Sequence, residues 1–171
     1  MLTRTIWKDR EHVQLKIEKA KRQDAQTALE IRRAAILNQC VSHYPLGILE
    51  EWVNIGLSDE FVDTVEKNFY LAKVDDQIVG TGMINIATGE IDAVFVHPQH
   101  LRKGVGTAIL KFLENIATSH GLKTLTLQST LNAAEFYRAC GFVGNEIKTY
   151  TSQRGVALSC IPMSKQTPPH G

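Results

Sequence analysis

Between a predicted strand and a predicted helix lies the segment HPQHLRKGVGT, residues 97–107. Two glycines, Gly104 and Gly106, open the helix, and glycine lets a chain turn tightly and a ligand approach its backbone N–H groups. The first-turn amides of a helix lack intrahelical partners, and together with the helix dipole they favour a phosphate or diphosphate. Arg102 and Lys103 add positive charge at the same end. On these residues alone, a tight turn with a solvated basic pair is an equally good interpretation.

The glycine segment matches neither of two common phosphate-binding motifs. A P-loop would end in Gly-Lys-Ser/Thr, and residues 97–107 contain no such ending. The dinucleotide-binding fingerprint would have a third glycine three positions beyond Gly106, where the chain has Ile109. A nucleotide-binding α/β protein that uses the loop for another phosphate ligand stays open at this point.

On both sides of the segment, hydrophobic periodicity predicts one mixed α/β domain. Alternating apolar residues at 13–17 predict a strand, and residues 1–11 are interpreted as a polar lead-in. A helix from 24 to about 38 is expected to turn Arg32 and Arg33 outward. The other predicted elements are a helix from 45, a helical turn at 59–66, strands at 69–74, 78–86 and 91–96, a helix at 104–119, a strand at 122–128, a helix at 132–141, and strands at 147–151 and 156–163.

The composition bounds the class of protein. The chain has 171 residues, of which 43% are hydrophobic and 22% charged, and this suits one soluble domain. A net charge of +1 argues against a general nucleic-acid binder. We find no signal-peptide pattern, and no run approaches the ~20 apolar residues of a membrane helix. Three widely spaced cysteines are not a disulfide framework, so a cytoplasmic location is expected.

A second informative segment, NAAEFYRACGF, covers residues 132–142 and has capping-box spacing at its start. Together the two segments resemble the GNAT superfamily of acetyl-CoA-dependent N-acetyltransferases. The first resembles that family's Arg/Gln-x-x-Gly-x-Gly/Ala loop, and the second resembles its Asn…Phe-Tyr-x-x-x-Gly-Phe helix. The hairpin at 70–82 is similar to the family's middle hairpin. The resemblance covers roughly residues 13–163 of a single domain spanning 1–171, and is nearest to small, poorly assigned bacterial members.

The resemblance implies a mixed central sheet flanked by helices, antiparallel in its N-terminal part, with splayed parallel strands at 91–96 and 122–128. It implies acetyl-CoA as co-substrate, with the pantetheine arm between the splayed strands. It assigns to the coenzyme the backbone of Phe95, Val96 and His97, a pyrophosphate loop of Arg102, Lys103, Gly104, Val105, Gly106 and Thr107, and Asn132 at the pantetheine arm. A helix-cap role for Asn132 is an equally weighted alternative. Leu101 departs from the family's Arg or Gln, so weaker rather than absent coenzyme binding is expected.

The resemblance also implies catalytic candidates. Tyr137 is expected to donate a proton to the departing thiolate, and the alternative is a core aromatic residue. An alkylammonium with a pKa of about 10 is mostly protonated at neutral pH, so a base is useful. Glu90 and Asp92, two apart on one face of a strand, are the candidates, and His97 is a weaker one.

The amine acceptor is expected beside the first two helices, at His43, Tyr44 and Trp52, because a cation is attracted to aromatic faces. Ordinary helix packing is the alternative for Trp52. Cys40 and His43 lack the second pair that a zinc site needs, so no metal is expected.

The predicted function is therefore transfer of an acetyl group from acetyl-CoA to a primary amine of a small molecule, peptide or protein. No nucleic-acid or membrane partner is expected, and a homodimer stays open. The departure at Leu101 motivates an alternative of another class, a non-catalytic acyl-CoA-binding or sensing module.

Overall fold

The computed structural model describes residues 2–8, 11–152 and 154–169. The strands are β1 (Leu2–Lys8), β2 (Glu11–Lys19), β3 (Phe69–Val74), β4 (Gln77–Asn85), β5 (Glu90–Val96), β6 (Thr124–Ser129), β7 (Lys148–Thr151) and β8 (Ala157–Gln166). The helices are α1 (Ala25–Gln39), α2 (Leu46–Val53), α3 (Asp59–Asn68), α4 (Val105–Ser119) and α5 (Ala134–Ala139), with 3₁₀ turns at Arg22–Asp24 and Pro98–His100. None of these helices has the length and apolar character that crossing a membrane requires.

The strands form one sheet in the order β1-β2-β3-β4-β5-β6-β8-β7. Every neighbouring pair is antiparallel except β5 and β6, which are parallel. The predicted mixed sheet with an antiparallel N-terminal part is therefore confirmed.

The parallel pair β5–β6 is splayed, as expected. Its ladder consists of a single pairing, Glu90 with Thr126. A bulge in β5 accompanies the splay: the register against β4 shifts between Thr81 and Met83, and Ala93 has φ of +52°. The buried Thr81 hydroxyl donates a hydrogen bond of 2.7 Å to the Ala93 carbonyl and holds the bulge in this conformation. Beyond Glu90, the described residues of β5 and β6 leave a gap between the strands.

Helix α4 lies directly on β4 because β4 carries glycine at the contact. A Cβ on Gly82 would lie 2.5 Å from Cγ2 of Ile109, and one on Gly80 would lie 2.9 Å from its Cδ1. The apolar face of α4, with Ile109 and Leu113 fully buried, fills the core of the sheet on this side. This close packing fixes the position of the first turn of α4 at the mouth of the gap.

Three expectations about local structure are wrong. Leu2–Lys8 form strand β1, not a lead-in, because pairing along the free edge of β2 satisfies their backbone without requiring an apolar pattern. Arg32 is not turned outward but lies half-buried against Trp52. Asn132 does not cap α5: the N-cap position is Ala133, with no side-chain cap hydrogen bond.

Candidate active site

Three adjoining cavities follow the gap between β5 and β6. The first, which we call the loop cavity, has a volume of about 410 Å³ and lies at the start of α4. The gap cavity, about 110 Å³, lies between the splayed strands. The outer cavity, about 330 Å³, lies on the side of α1, α2 and β8. Val94, Asn132 and Tyr137 line both the loop and gap cavities, and Asp92 and Phe95 line both the gap and outer cavities. The three cavities therefore form one path through the sheet.

The loop cavity presents the first turn of α4. Gly104 is the N-cap residue with φ of +82°, a left-handed conformation that glycine adopts without strain. Its carbonyl accepts the N–H of Ala108 at 3.1 Å, so the amides of residues 105–107 precede the first intrahelical bond. A Cβ on Gly106 would lie 3.0 Å from Cζ of Phe136, a tighter contact than Cβ atoms usually make, so any larger residue here would require Phe136 to shift.

The remaining loop residues contribute unequally. The side of the cavity nearest the glycines is lined by Leu101 and Arg102, and Arg102 has φ of +59°. Lys103, predicted to contact the coenzyme, does not line any of the three cavities that the described residues form. The apolar Leu101 side chain supplies no hydrogen-bond donor, whereas main-chain amides, Arg102 and the hydroxyl of Thr107, which also lines this cavity, can donate here.

The last residues of β5 and the residue that follows it differ in which cavity they line. Val96 lines the loop cavity, and its carbonyl accepts a hydrogen bond from Nε2 of Gln39 at 3.3 Å. Phe95 lines the gap and outer cavities. His97 lines none of the three: its N–H donates to Val79 at 2.8 Å, and its Nδ1 accepts from the N–H of Gln99 at 3.2 Å. The backbone N–H and Nδ1 of His97 thus serve the turn after β5, and its absence from the three cavity linings argues against a role for it as base.

Asn132 has a polar atom without a partner. Its Oδ1 is buried and accepts no hydrogen bond within the described part of the chain, although the residue lines two cavities. An unsatisfied buried oxygen is costly in a folded protein, so a ligand donor at this position would be favourable. The gap and loop cavities are the route by which such a donor would arrive.

Tyr137 lies where the loop and gap cavities meet. Burial raises the pKa of its phenol, and the nearby Asp92 carboxylate raises it further. The described residues give its hydroxyl no hydrogen-bond partner, whereas buried tyrosine hydroxyls usually have one. The phenol is therefore protonated at neutral pH and available to a ligand in the gap.

Of the two predicted carboxylates, Asp92 is the one inside the gap. It lines the gap and outer cavities, and its Oδ1 accepts the N–H of Ala93 at 2.7 Å. Burial raises the pKa of Asp92, while the Ala93 hydrogen bond and the charge of Arg32 oppose that rise. Glu90 lines the outer cavity alone. Asp92 therefore lies closer to Tyr137 along the path than Glu90 does.

The outer cavity brings together two of the three residues predicted to bind the acceptor. Trp52 lines it, as does Tyr44, whose ring centroid lies 6.2 Å from that of Trp52. The Tyr44 hydroxyl is already engaged, donating to the Ser159 carbonyl at 2.5 Å and accepting from the N–H of Leu131 at 3.0 Å. His43 is exposed on the turn after α1 and lines none of the three cavities formed by the described residues.

Sequence reasoning missed two arginines in the outer cavity, Arg32 and Arg154. A signal for Arg32 was present in the chain. It follows Ala28 by four positions and precedes Ala35 by three, and both alanines are buried on α1. This spacing assigns Arg32 to the buried stripe of the helix and not to its outer face. Arg154 lies between predicted strands, where periodicity carries no information.

The described residues contain no group of three or more His, Cys, Asp or Glu side chains that could hold a metal ion. The side chains lining the path include the phenols of Tyr44, Tyr137 and Tyr150, the carboxylates of Glu90 and Asp92, and the guanidinium groups of Arg32, Arg102 and Arg154.

Comparisons with known proteins agree with this architecture. YyaT of Bacillus subtilis (strain 168), an uncharacterised protein, is 28% identical over 125 residues, covering 70% of this chain and 76% of YyaT. The GCN5-related N-acetyltransferase from Rhodopseudomonas palustris has the same fold, with a TM-score of 0.81 and 24% identity over 97% of this chain and 98% of that one. The PaiA N-acetyltransferase from Thermoplasma acidophilum, solved with coenzyme A, has a TM-score of 0.69 and 19% identity over 89% of this chain and 98% of its own.

The model of the acetyltransferase (GNAT) family matches residues 25–142, which include the glycine segment and the helix with Tyr137. The resemblance predicted from those two segments is confirmed. Because the match spans more than half of the chain, the protein belongs to the acetyltransferase (GNAT) family and is an acyltransferase.

Proposed function

We propose that the protein transfers an acetyl group from acetyl-CoA to a primary amine, with Tyr137 as proton donor to the leaving sulfur and Asp92 as base. The observation that carries this proposal is the shared position of the two side chains. Both line the small cavity between the splayed strands, and the charge of Asp92 acts on the phenol of Tyr137.

The residues along the path suit acetyl-CoA. The loop cavity offers the free amides of residues 105–107 and the charge of Arg102 to a diphosphate. The buried Oδ1 of Asn132 suits an amide N–H of the pantetheine arm. The PaiA structure of the same fold holds coenzyme A, which supports the same choice of ligand here. The departure at Leu101 removes one side-chain donor and leaves the main-chain donors in place.

When bound, acetyl-CoA supplies a thioester carbon that an amine can attack. Forming the C–N bond leaves the nitrogen with one proton to lose, and breaking the C–S bond leaves the sulfur with one to gain. Asp92 is suited to accept the first proton, since desolvation at the gap raises the pKa of its carboxyl and makes it a stronger base than an ordinary aspartate. Tyr137 is suited to donate the second, since its raised pKa keeps the phenol protonated.

The test combines acetyl-CoA, a panel of primary amines, and the Tyr137→Phe variant. Loss of a general acid typically lowers turnover by about 10²–10⁴-fold. We expect that loss in kcat, with the acetyl-CoA affinity measured by calorimetry unchanged. Tyr70→Phe is the matched control, because Tyr70 packs on Phe112 and lines none of the three cavities formed by the described residues. Full activity of Tyr137→Phe across pH would refute the proton-donor role.

Leu101 supports a second candidate, a module that binds acyl-CoA without catalysis, because it lines the loop cavity where the family pattern has Arg or Gln. Such a module would be stabilised by acetyl-CoA but release no thiol with any amine of the panel. A thermal shift larger with ATP or NAD than with acetyl-CoA would instead indicate another phosphate ligand.

A further inference from the structure

The outer cavity is lined by two arginines that the transfer chemistry does not use. We propose that the acceptor is an amine that also carries a carboxylate and an apolar side chain, and that Arg32 and Arg154 bind its carboxylate. This assignment rests on the proposed acetyl transfer and adds the chemical class of the acceptor.

Arg32 is held in place but incompletely paired. Its Nη2 donates to the Trp52 carbonyl at 3.1 Å, and its guanidinium carbon lies 5.9 Å from the centroid of the Trp52 ring. Its Nη1 is buried and has no hydrogen-bond partner within the described residues. A guanidinium that is held through Nη2 and still has an unpaired N–H donor at Nη1 is suited to binding a carboxylate.

The charges around Arg32 compensate its charge only in part. Burial lowers the pKa of Arg32 to about 10, Asp92 partly opposes this, and the charge of Arg154 adds to it. Arg32 is still a cation at neutral pH, and neither arginine forms an ion pair with a carboxylate among the described residues. Two like charges at one cavity repel each other, and a ligand anion between them would relieve that repulsion.

The positions of the charges assign the two ends of the acceptor. Asp92 lines both the gap and outer cavities, whereas Arg32 and Arg154 line only the outer one. An amine directed toward Asp92 and Tyr137 therefore leaves its carboxylate on the arginine side. The outer cavity, about 330 Å³, is of the size that encloses small molecules. Its apolar lining suits an apolar side chain and includes Trp52, Phe61, Phe69, Met83, Phe95 and Leu158.

The wild-type enzyme tests this with substrates that differ only in the carboxylate. L-Phenylalanine is compared with L-phenylalaninamide and phenethylamine, and L-leucine with L-leucinamide and 3-methylbutylamine, by coenzyme A release at fixed acetyl-CoA. We expect each acid to have a kcat/KM higher than that of its partners by on the order of tenfold or more. The carboxamide lowers the basicity of its amine, so a preference for the acid cannot come from a larger share of neutral amine.

Variants then identify the residues responsible. Arg32→Gln and Arg154→Gln are each expected to reduce the preference for acid over amide, chiefly through KM, and Arg32→Lys to retain part of it. Arg33→Gln is the matched control, because Arg33 is the next residue of α1, exposed and absent from the cavity lining. Acetyl-CoA affinity is measured for every variant to verify folding. The wild-type series is decisive even if Arg32→Gln fails to fold.

The outcomes separate this inference from the proposed function. Acetylation of amides and simple amines as well as of acids would overturn the carboxylate assignment and leave acetyl transfer intact. A preference for acids that survives in both arginine variants would overturn the role of the arginines. Binding of acetyl-CoA with no transfer to any amine would overturn both conclusions.

Discussion

The sequence predicts that Tyr44 binds the acceptor, whereas its contacts in the structure indicate a structural role. A single substitution, Tyr44→Phe, distinguishes the two. The side chain is 8% exposed, and its hydroxyl bonds the Ser159 carbonyl of β8 and the Leu131 N–H that follows β6. Tyr44→Phe removes both bonds and keeps the ring. Each hydrogen bond contributes about 1 kcal/mol, so we expect a loss of about 2 kcal/mol. A domain of this size loses about 2–4 °C of Tm per kcal/mol, which gives a decrease of roughly 4–8 °C.

The assay is thermal and urea unfolding of the wild type and of Tyr44→Phe, followed by amine kinetics well below the melting temperature. Tyr70→Phe is again the matched control, since the described residues give the Tyr70 hydroxyl no hydrogen bond. We expect Tyr70→Phe to melt within a degree or two of wild type and Tyr44→Phe to show an unchanged KM for the amine. An unchanged Tm with a raised KM in Tyr44→Phe would refute this reasoning and restore Tyr44 as an acceptor ligand.

Three further substitutions test the path through the sheet. Asp92→Asn should lower kcat/KM by about 10²–10⁴-fold in the thiol-release assay. The same variant should be more stable than wild type at pH 7 in urea unfolding. The pKa of Asp92 is raised in the folded protein, so its ionised form destabilises the fold at pH values above the ordinary pKa of 3.8. Below that pH the carboxyl is protonated in both states, and the difference in stability should vanish. Gly106→Ala, with a Cβ 3.0 Å from Phe136, should raise the acetyl-CoA dissociation constant measured by calorimetry by on the order of tenfold. Gly82→Ala, with a Cβ 2.5 Å from Ile109, should lower the free energy of unfolding by about 1–3 kcal/mol without altering the pH profile of activity; wild-type stability would contradict the close packing of α4 on β4.

Local signals in the sequence were sufficient to predict the elements that surround the path through the sheet. Gly104 has a left-handed φ, and Gly106 lies close to Phe136. Both features favour glycine, so the residue type itself indicates them in the sequence. The strands and helices from residue 69 onward follow hydrophobic periods of two and 3.6 residues, which depend on their own residues alone. The family resemblance depended on the same two local segments.

What could not be predicted depends on partners distant in the chain. Strand β1 exists because β2 offers it an edge, and nothing in residues 2–8 alone requires that pairing. The burial of Arg32 depends on Trp52, which lies 20 positions later on another helix. The unpaired Oδ1 of Asn132 depends on a buried environment that residues 132–142 alone do not reveal.

The facing of the β5 side chains along the path depends on a feature with no sequence signature, the bulge at Ala93. In a regular strand, residues 92, 94 and 96 would share one face, and Phe95 would lie on the other. The extra residue reverses this alternation, so that Phe95 joins Asp92 at the gap and outer cavities while Val94 and Val96 line the loop cavity. Alanine at positive φ is unfavourable, and the buried hydrogen bond from Thr81 to its carbonyl offsets that cost. The same distortion accompanies the separation of β5 from β6, and the gap cavity between them, lined by Asp92 and Tyr137, joins the loop and outer cavities.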